Sequence, residues 1–187
     1  MFIVFEGIDG SGKSSAIERL KDDLEKSGQK VRVTAEPTMG AIGKLVAETD
    51  DLTPETEALL FTADRAVHTE DIRKWMGEGF TVISDRYFAS TLAYQSAAGM
   101  DIEWLKSINS KVTIRPDITI LMDIDPEVSL ERVSRRGEKS RFEKLDYLRK
   151  VRQAYLSLSD EYGFVKVDAS MDRDTVAKEV IKIAGRV

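Results

Sequence analysis

The sequence predicts an α/β fold, a mostly parallel sheet with helices on both faces, and three observations point to it. Five short apolar segments, at residues 2–5, 31–35, 81–84, 118–122 and 164–167, alternate with longer amphipathic stretches, as they do when crossover helices join parallel strands. The first segment runs straight into a glycine-rich turn that opens a helical stretch. The length of 187 residues suits one domain, spanning 1–187, large enough to bury a two-sided sheet without covalent staples.

Residues 2–5, Phe-Ile-Val-Phe, are apolar throughout, as a strand covered on both faces must be. Residues 14–26 then carry Ile17, Leu20 and Leu24 at helical spacing, and 31–35 is the second strand. Thr53-Pro54-Glu55-Thr56 reads as a cap followed by proline at the first helical position, opening a helix that runs to about Met76. Its Leu59, Leu60, Ala63, Val67, Ile72 and Trp75 are too many for one outer stripe, so part of it crosses the domain or meets a partner chain. After the strands at 81–84 and 118–122, Asp125-Pro126 opens a helix over 128–135. A further helix over 143–158 spaces Leu145, Leu148, Val151 and Tyr155 three or four apart, and 164–167 closes the sheet. No internal repeat, linker or low-complexity segment interrupts the series.

Composition narrows the function. With 42% hydrophobic and 33% charged residues the chain reads as an ordinary soluble globular protein. A net charge of −5 argues against a nucleic-acid partner, so any phosphate recognition must be local. There is no cysteine, so disulfides and Cys-based zinc or redox chemistry are unavailable, which fits a reducing compartment. Apolar runs reach only about five residues, far below the roughly 18 of a membrane span. The opening strand lacks a basic start and ends in Glu6, unlike a secretory signal. The expected address is cytoplasmic, with no membrane partner.

The turn after the first strand is Gly7-Ile8-Asp9-Gly10-Ser11-Gly12-Lys13-Ser14, which fits G-x-x-x-x-G-K-[ST] in the strand-to-helix context that gives the pattern meaning. Glycines let successive backbone N–H groups turn inward around a polyphosphate and the helix directs its positive end at it. Lys13 supplies a mobile cation and the Ser14 hydroxyl can ligate Mg²⁺. A nucleoside triphosphate is the expected ligand.

The segment Val82-Ile83-Ser84-Asp85-Arg86-Tyr87 ends an apolar strand in an acid–base pair. Ligands of open α/β sheets gather at the C-terminal ends of strands, so Asp85 lies beside the phosphate loop if its strand neighbours the first. Asp85 would then hold Mg²⁺ through water and Arg86 a second phosphate; otherwise the pair is a helix cap and surface ion pair. Arg132, Arg135, Arg136, Lys139 and Arg141 place five cations in ten residues around Gly137. Phosphoryl transfer is catalysed largely by positioning and electrostatics, so this run reads as an arginine-bearing flap rather than a solvated face. Phe61 and Arg65 stand four apart on one helix face, where a ring and a guanidinium can serve a base and its phosphate, or be a buried Phe beside an exposed Arg. Two loops complete the set: Glu36-Pro37-Thr38 after the second strand, and Ser90-Thr91-Leu92-Ala93-Tyr94-Gln95 lining one wall.

Together these residues resemble the thymidylate kinase family, whose members move the γ-phosphate of ATP onto dTMP. The likeness spans most of the chain. The phosphate loop, Glu36-Pro37, Leu60-Phe61-x-x-x-Arg65, Asp85-Arg86-Tyr87, Ala93-Tyr94-Gln95, Asp123-x-Asp125-Pro126 and Arg141-Phe142-Glu143 occur in the family's order; adenylate kinase is not expected to show the Asp-Arg-Tyr and Ala-Tyr-Gln block. The resemblance implies a three-layer P-loop NTPase fold, a five-stranded parallel sheet with helices on both faces and a small arginine-bearing LID at about 135–142. It also implies ATP and dTMP as substrates with Mg²⁺, direct in-line transfer, and dimerisation through long helices.

Residue by residue, it assigns ATP and Mg²⁺ to Gly7, Ile8, Asp9, Gly10, Ser11, Gly12, Lys13, Ser14 and Ser15 with Arg132 and Arg136. The metal falls to Ser14 and, through water, Asp85. Phe61 would stack on thymine and Arg65 hold a phosphate or base edge. Asp9 would accept a bond from the acceptor's 3′-hydroxyl, Arg86 bridge to its phosphate, and Thr91 contact the thymine edge. Tyr94 would crowd the 2′ position, Gln95 support that wall with Ser90, and Glu36, with Pro37 beside it, lie near the acceptor phosphate and the metal's water. Some relatives carry arginine where this chain has Gly10, so the catalytic cation is sought among Arg135, Arg136 and Arg141 of the flap, with Arg136 or Arg141 preferred; Lys13, Asp85 and Arg86 complete the catalytic set. Thr38-Met39-Gly40 replaces a glycine pair of many relatives, leaving the shape of that loop open. His68, Trp75, Trp104 and Tyr87 read as structural, and Asp168-Ala169-Ser170 as a turn near the adenine or a turn only. The rivals are a kinase for another pyrimidine deoxynucleotide or deoxynucleoside and a nucleotide-dependent switch.

Overall fold

A computed structural model describes residues 1–134 and 142–186. In chain order it contains β1 (Phe2–Glu6), α1 (Lys13–Lys26), β2 (Val31–Ala35), α2 (Ala41–Glu48), α3 (Pro54–Gly77), β3 (Thr81–Asp85) and α4 (Phe88–Ala97). There follow α5 (Ile102–Ser110), β4 (Ile118–Asp123), α6 (Pro126–Ser134), α7 (Phe142–Tyr162), β5 (Val165–Asp168) and α8 (Arg173–Ala184). The strands form one parallel sheet in the order β2-β3-β1-β4-β5, the five-stranded architecture expected. β1 is central and buried along its whole length. Its alternate side chains serve opposite layers: Ile3 and Phe5 pack with Ile17 and Leu20 of α1, whereas Phe2 and Val4 pack with Ile72 of α3 and with Tyr87. Fully burying each such side chain stabilises the fold by roughly 1.5–3 kcal/mol.

The register sets up the site. Phe5 lies beside Asp85, and Ala35 beside Asp85 on the other side, so the turns after β1, β2 and β3 leave the sheet at one edge. The chain reverses its direction of winding at β1, the topological switch point where ligands of open α/β sheets bind.

Several boundaries and four helices differ from the sequence reading, most boundaries by a single residue. β5 begins at Val165 because Phe164 turns into an aromatic cluster with Phe88 and Tyr162. Helix α7 continues to Tyr162, where Gly163 at φ 73° ends it, and α6 begins at Pro126 itself. Helices α2, α5 and α8 lie where the sequence reading places none, although Asp101 and Asp172 cap the last two through their side chains. Residues 90–95, read as a loop wall, belong to α4. That helix shows no amphipathic stripe because half of it is buried and none of it is fully exposed, and its first turn is capped from far away: Glu6 Oε1 accepts from Tyr87 N (2.9 Å) and Ser90 N (3.2 Å).

Helix α3 inverts the usual pattern. Its buried face is mainly polar, with Thr62, Asp64, Arg65, His68 and Thr69, while Leu59 and Val67 are 50% and 58% exposed. Its polar face holds the loop after β2. Asp64 accepts from Thr38 N (2.7 Å) and Thr38 Oγ1 (2.6 Å), and a Cβ on Gly43 would stand 2.1 Å from Thr38 O. This fixes the loop whose shape the sequence leaves open, with Met39 pointing to solvent.

Candidate active site

Two cavities meet at the C-terminal edge of the sheet. One of about 1220 Å³ covers the turn between β1 and α1; the other, about 230 Å³, lies between α3 and α4. Asp9, Glu36, Pro37 and Arg86 line both.

The first is built from backbone. Gly7 and Gly10 take φ 140° and 79°, a region side chains rarely adopt, and the first intrahelical bond of α1 runs from Ala16 N to Gly12 O. The N–H groups of Lys13, Ser14 and Ser15 precede it and face out of the helix end. Gly10, Ser11, Gly12, Lys13, Ser14, Ser15 and Arg132 line this cavity, as do Ala169 and Ser170 after β5, to which Arg132 is tied by a 3.0 Å bond to Ala169 O. Gly7 and Ile8 contribute carbonyls instead, accepting from Lys13 Nζ at 3.0 and 3.2 Å. Burial and the neighbouring Arg86 lower the Lys13 ammonium to a pKa of about 8. A Cβ at Gly10 would meet Ser129 O at 2.8 Å and Val133 at 3.0 Å, and Ser129 Oγ donates to Asp9 O. Helix α6 thus packs onto the loop where a longer side chain would stand.

Asp85 ends β3 beside this loop. Its Oδ2 accepts from Ser14 Oγ at 3.4 Å, while its buried Oδ1 has no hydrogen-bond partner among the described residues. Mg²⁺ prefers few protein oxygens together with phosphate and water, and a hydroxyl beside an underused carboxylate suits it. The described residues hold no group of three or more His, Cys, Asp or Glu side chains that would form a protein-only metal cage.

Arg86 stands between the cavities at φ 71°. Nη1 donates to Gly7 O (3.1 Å), Ser90 Oγ (3.0 Å) and the Tyr155 hydroxyl (3.2 Å), and Nη2 to Asp9 Oδ1 (2.5 Å) and the Tyr94 hydroxyl (3.4 Å). Its guanidinium lies 5.2 Å from the Tyr94 ring centre. Burial opposes its charge, but Tyr155, Tyr94, Asp9 and Glu6 raise its pKa well above the ordinary arginine value.

Every residue assigned to the acceptor from the sequence lines the second cavity: Asp9, Glu36, Pro37, Phe61, Arg65, Arg86, Ser90, Thr91, Tyr94 and Gln95. Phe61 is half-buried and Arg65 is 1% exposed, the reverse of a buried ring beside an exposed cation. Arg65 Nε and Nη2 donate to Glu36 Oε2 (2.8 and 2.6 Å), Nη2 also to Thr91 Oγ1 (3.0 Å), and Nη1 to Asn109 Oδ1. Four of its five N–H donors are so engaged among the described residues. His68, read as structural, is buried between Glu36 Oε1 (2.9 Å) and Thr34 Oγ1 (2.8 Å). Tyr87 is buried and bonded to Thr69 and Ile114 N.

The sequence reading misses Glu57, Tyr147, Asn109 and Tyr155. Glu57 lines the acceptor cavity and accepts from Gln95 Nε2 at 2.5 Å; it lies one turn before Phe61, so helical spacing could have found it. Tyr147 lines the same cavity and donates to Tyr94 O (2.9 Å), a contact across α4 and α7 that no local pattern signals. Arg135, Arg136 and Arg141, with most of the expected LID, lie outside the described residues.

Comparison with known proteins adds independent findings. The family model for thymidylate kinase matches residues 5–180. A probable thymidylate kinase of Archaeoglobus fulgidus is 44% identical over 98% of this chain and 94% of its own length. One from Pyrobaculum aerophilum is 43% identical over 100% and 97%, and one from Thermococcus kodakarensis 41% over 98% and 96%.

Proposed function

The chain belongs to the thymidylate kinase family, and we propose that it transfers the γ-phosphate of ATP directly to dTMP, giving ADP and dTDP on the way to dTTP. The observation that carries this is the single cavity lined by all ten acceptor residues, which shares Arg86 and Asp9 with the phosphate-loop cleft. Donor and acceptor phosphates can therefore meet at one guanidinium, as direct transfer requires.

In this reading the N–H groups at the start of α1 hold the ATP phosphates, and Lys13 exchanges the Gly7 and Ile8 carbonyls for phosphate oxygens. Ser14, and Asp85 through water, would hold Mg²⁺, which when bound neutralises the β- and γ-phosphate oxygens. Phe61 stacks on thymine, Arg65 and Thr91 meet the base edge, Tyr94 and Gln95 close the sugar side, and Asp9 takes the 3′-hydroxyl. Arg86 holds the acceptor phosphate and neutralises the moving group. The sequence offers Arg136 or Arg141 for the cation that Gly10 denies the loop. We further propose that residues 1–187 act as one unit in the cytoplasm. The chain would pair as a homodimer through the apolar outer face of α3, where Leu59 and Val67 are exposed; sedimentation as a single 21.0 kDa chain at micromolar concentration would overturn that last point.

The test is Arg86→Ala. Removing one preorganised charge donor from a transition state costs about 10²–10³ in kcat, so turnover should fall by that factor with ATP binding unchanged within a few-fold. Activity within a few-fold of the parent overturns the role given to Arg86.

A further inference from the structure

Glu6 ends β1 directly before the phosphate loop and is fully buried, yet nothing in the chemistry above uses it. One of its oxygens caps α4, as described; the other, Oε2, accepts from Ser90 Oγ (2.6 Å) and the Tyr155 hydroxyl (3.0 Å). These are the hydroxyls to which Arg86 Nη1 donates. They also lie 2.7 Å from each other. A guanidinium has donors only, so each hydroxyl must turn a lone pair toward it. Left alone, two hydroxyls this close would bond to each other, and a rotating proton would as readily face Arg86 as turn away. A carboxylate is an acceptor only. It takes both hydroxyl protons and leaves both lone pairs facing the arginine.

We infer that Glu6 is a positioning residue: by holding the Ser90 and Tyr155 hydroxyls as acceptors, it fixes Arg86 Nη1 and leaves Nη2 directed at Asp9 and the acceptor cavity. The same carboxylate holds the turn in which Arg86 adopts its left-handed backbone, since Oε1 binds the N–H of the next residue, Tyr87. Burial pushes the Glu6 carboxyl up from the usual range, while Ser90, Arg86, Tyr155 and the Tyr87 N–H pull it back. Lys13 also feels its charge. A buried carboxylate placed at such a cost, and paired directly with no cation among the described residues, does more here than stabilise the sheet.

The inference rests on Arg86 holding the acceptor phosphate, and the test separates the two. In Glu6→Gln the two backbone N–H groups keep the amide oxygen at the Oε1 position. The amide nitrogen then donates where Oε2 accepted, turning the hydroxyl protons toward Arg86. With saturating ATP and dTMP, kcat should fall about tenfold or more and the ATP dissociation constant should stay within about twofold. Introduced into Arg86→Ala, the same change should lower kcat by less than about twofold further, because the two residues act as a unit. Tyr155→Phe, which leaves the carboxylate in place, should lower kcat about threefold or more and be equally silent beside Arg86→Ala; it decides the matter if Glu6→Gln does not fold. Full kcat in both single variants, or losses that simply multiply with that of Arg86→Ala, overturns the inference alone. Arg86→Ala with near-parental kcat overturns both it and the reading on which it rests.

Discussion

Replacing Arg65 by Ala should damage the fold and the acceptor site together. The guanidinium is 1% exposed and Glu36 5%, their closest approach is 2.6 Å, and Asn109 and Thr91 also depend on the arginine. Removing one partner of a buried pair leaves an uncompensated charge and costs about 3–5 kcal/mol. For a chain of this size each kcal/mol moves the unfolding midpoint by about 2–4 °C, so the nucleotide-free protein should lose roughly 6–20 °C. His68 still reaches Glu36 Oε1 and holds the loss below a complete collapse. The assay is thermal unfolding with a parallel denaturant titration, together with the paired variant Glu36→Gln/Arg65→Met. Since that pair leaves no lone charge, it should recover a good part of the loss. A cost for Arg65→Ala below about 1 kcal/mol, the value of a surface ion pair, would refute the reasoning, as would a paired variant less stable than the single one.

Phe61→Ala should raise the KM for dTMP about 5- to 150-fold, the equivalent of the roughly 1–3 kcal/mol that a base gains on an aromatic plane. The dissociation constant for ATP should scarcely move; equal effects on both nucleotides would make Phe61 a packing residue only. Lys13, lowered to about 8 by burial and Arg86, is drawn back to its charged form by polyphosphate, so ATP binding takes up a proton. Affinity should be full below pH 8 and weaken by about tenfold per pH unit above it until the bound lysine itself titrates. Calorimetry at pH 8 in buffers of different ionisation enthalpy measures the proton directly, and a flat affinity from pH 7 to 9.5 contradicts the assignment.

The sheet and phosphate loop were legible because both are written locally. Residues 2–5 are apolar without interruption, and Gly7 to Ser14 carry their spacing in eight consecutive positions. The residues assigned to the acceptor drew only open readings locally, Phe61 with Arg65 and Arg86 as contacts for a base or a phosphate. Resemblance to a family gathered them into one set, since Phe61, Arg86 and Thr91 come together only when α3, the turn after β3 and α4 pack around one cavity. Helix α4 was hidden for a related reason: its cap is Glu6, more than eighty positions away, and its buried side chains leave no polar stripe to read. Tyr155 looks like an ordinary apolar position of a helix repeat, and its hydroxyl acquires a partner only across the domain. Arg65 and His68 escape periodicity in the opposite way, because the buried face of α3 is the polar one.

The most direct test of the account is ADP release from ATP and Mg²⁺ with dTMP, dUMP, dCMP, dGMP, AMP and thymidine offered as separate acceptors. The account predicts strong preference for dTMP, with thymidine inert because it brings no phosphate for Arg86 to hold. Faster turnover with another acceptor would contradict the base-site assignment, and slow hydrolysis indifferent to every acceptor would contradict phosphoryl transfer itself.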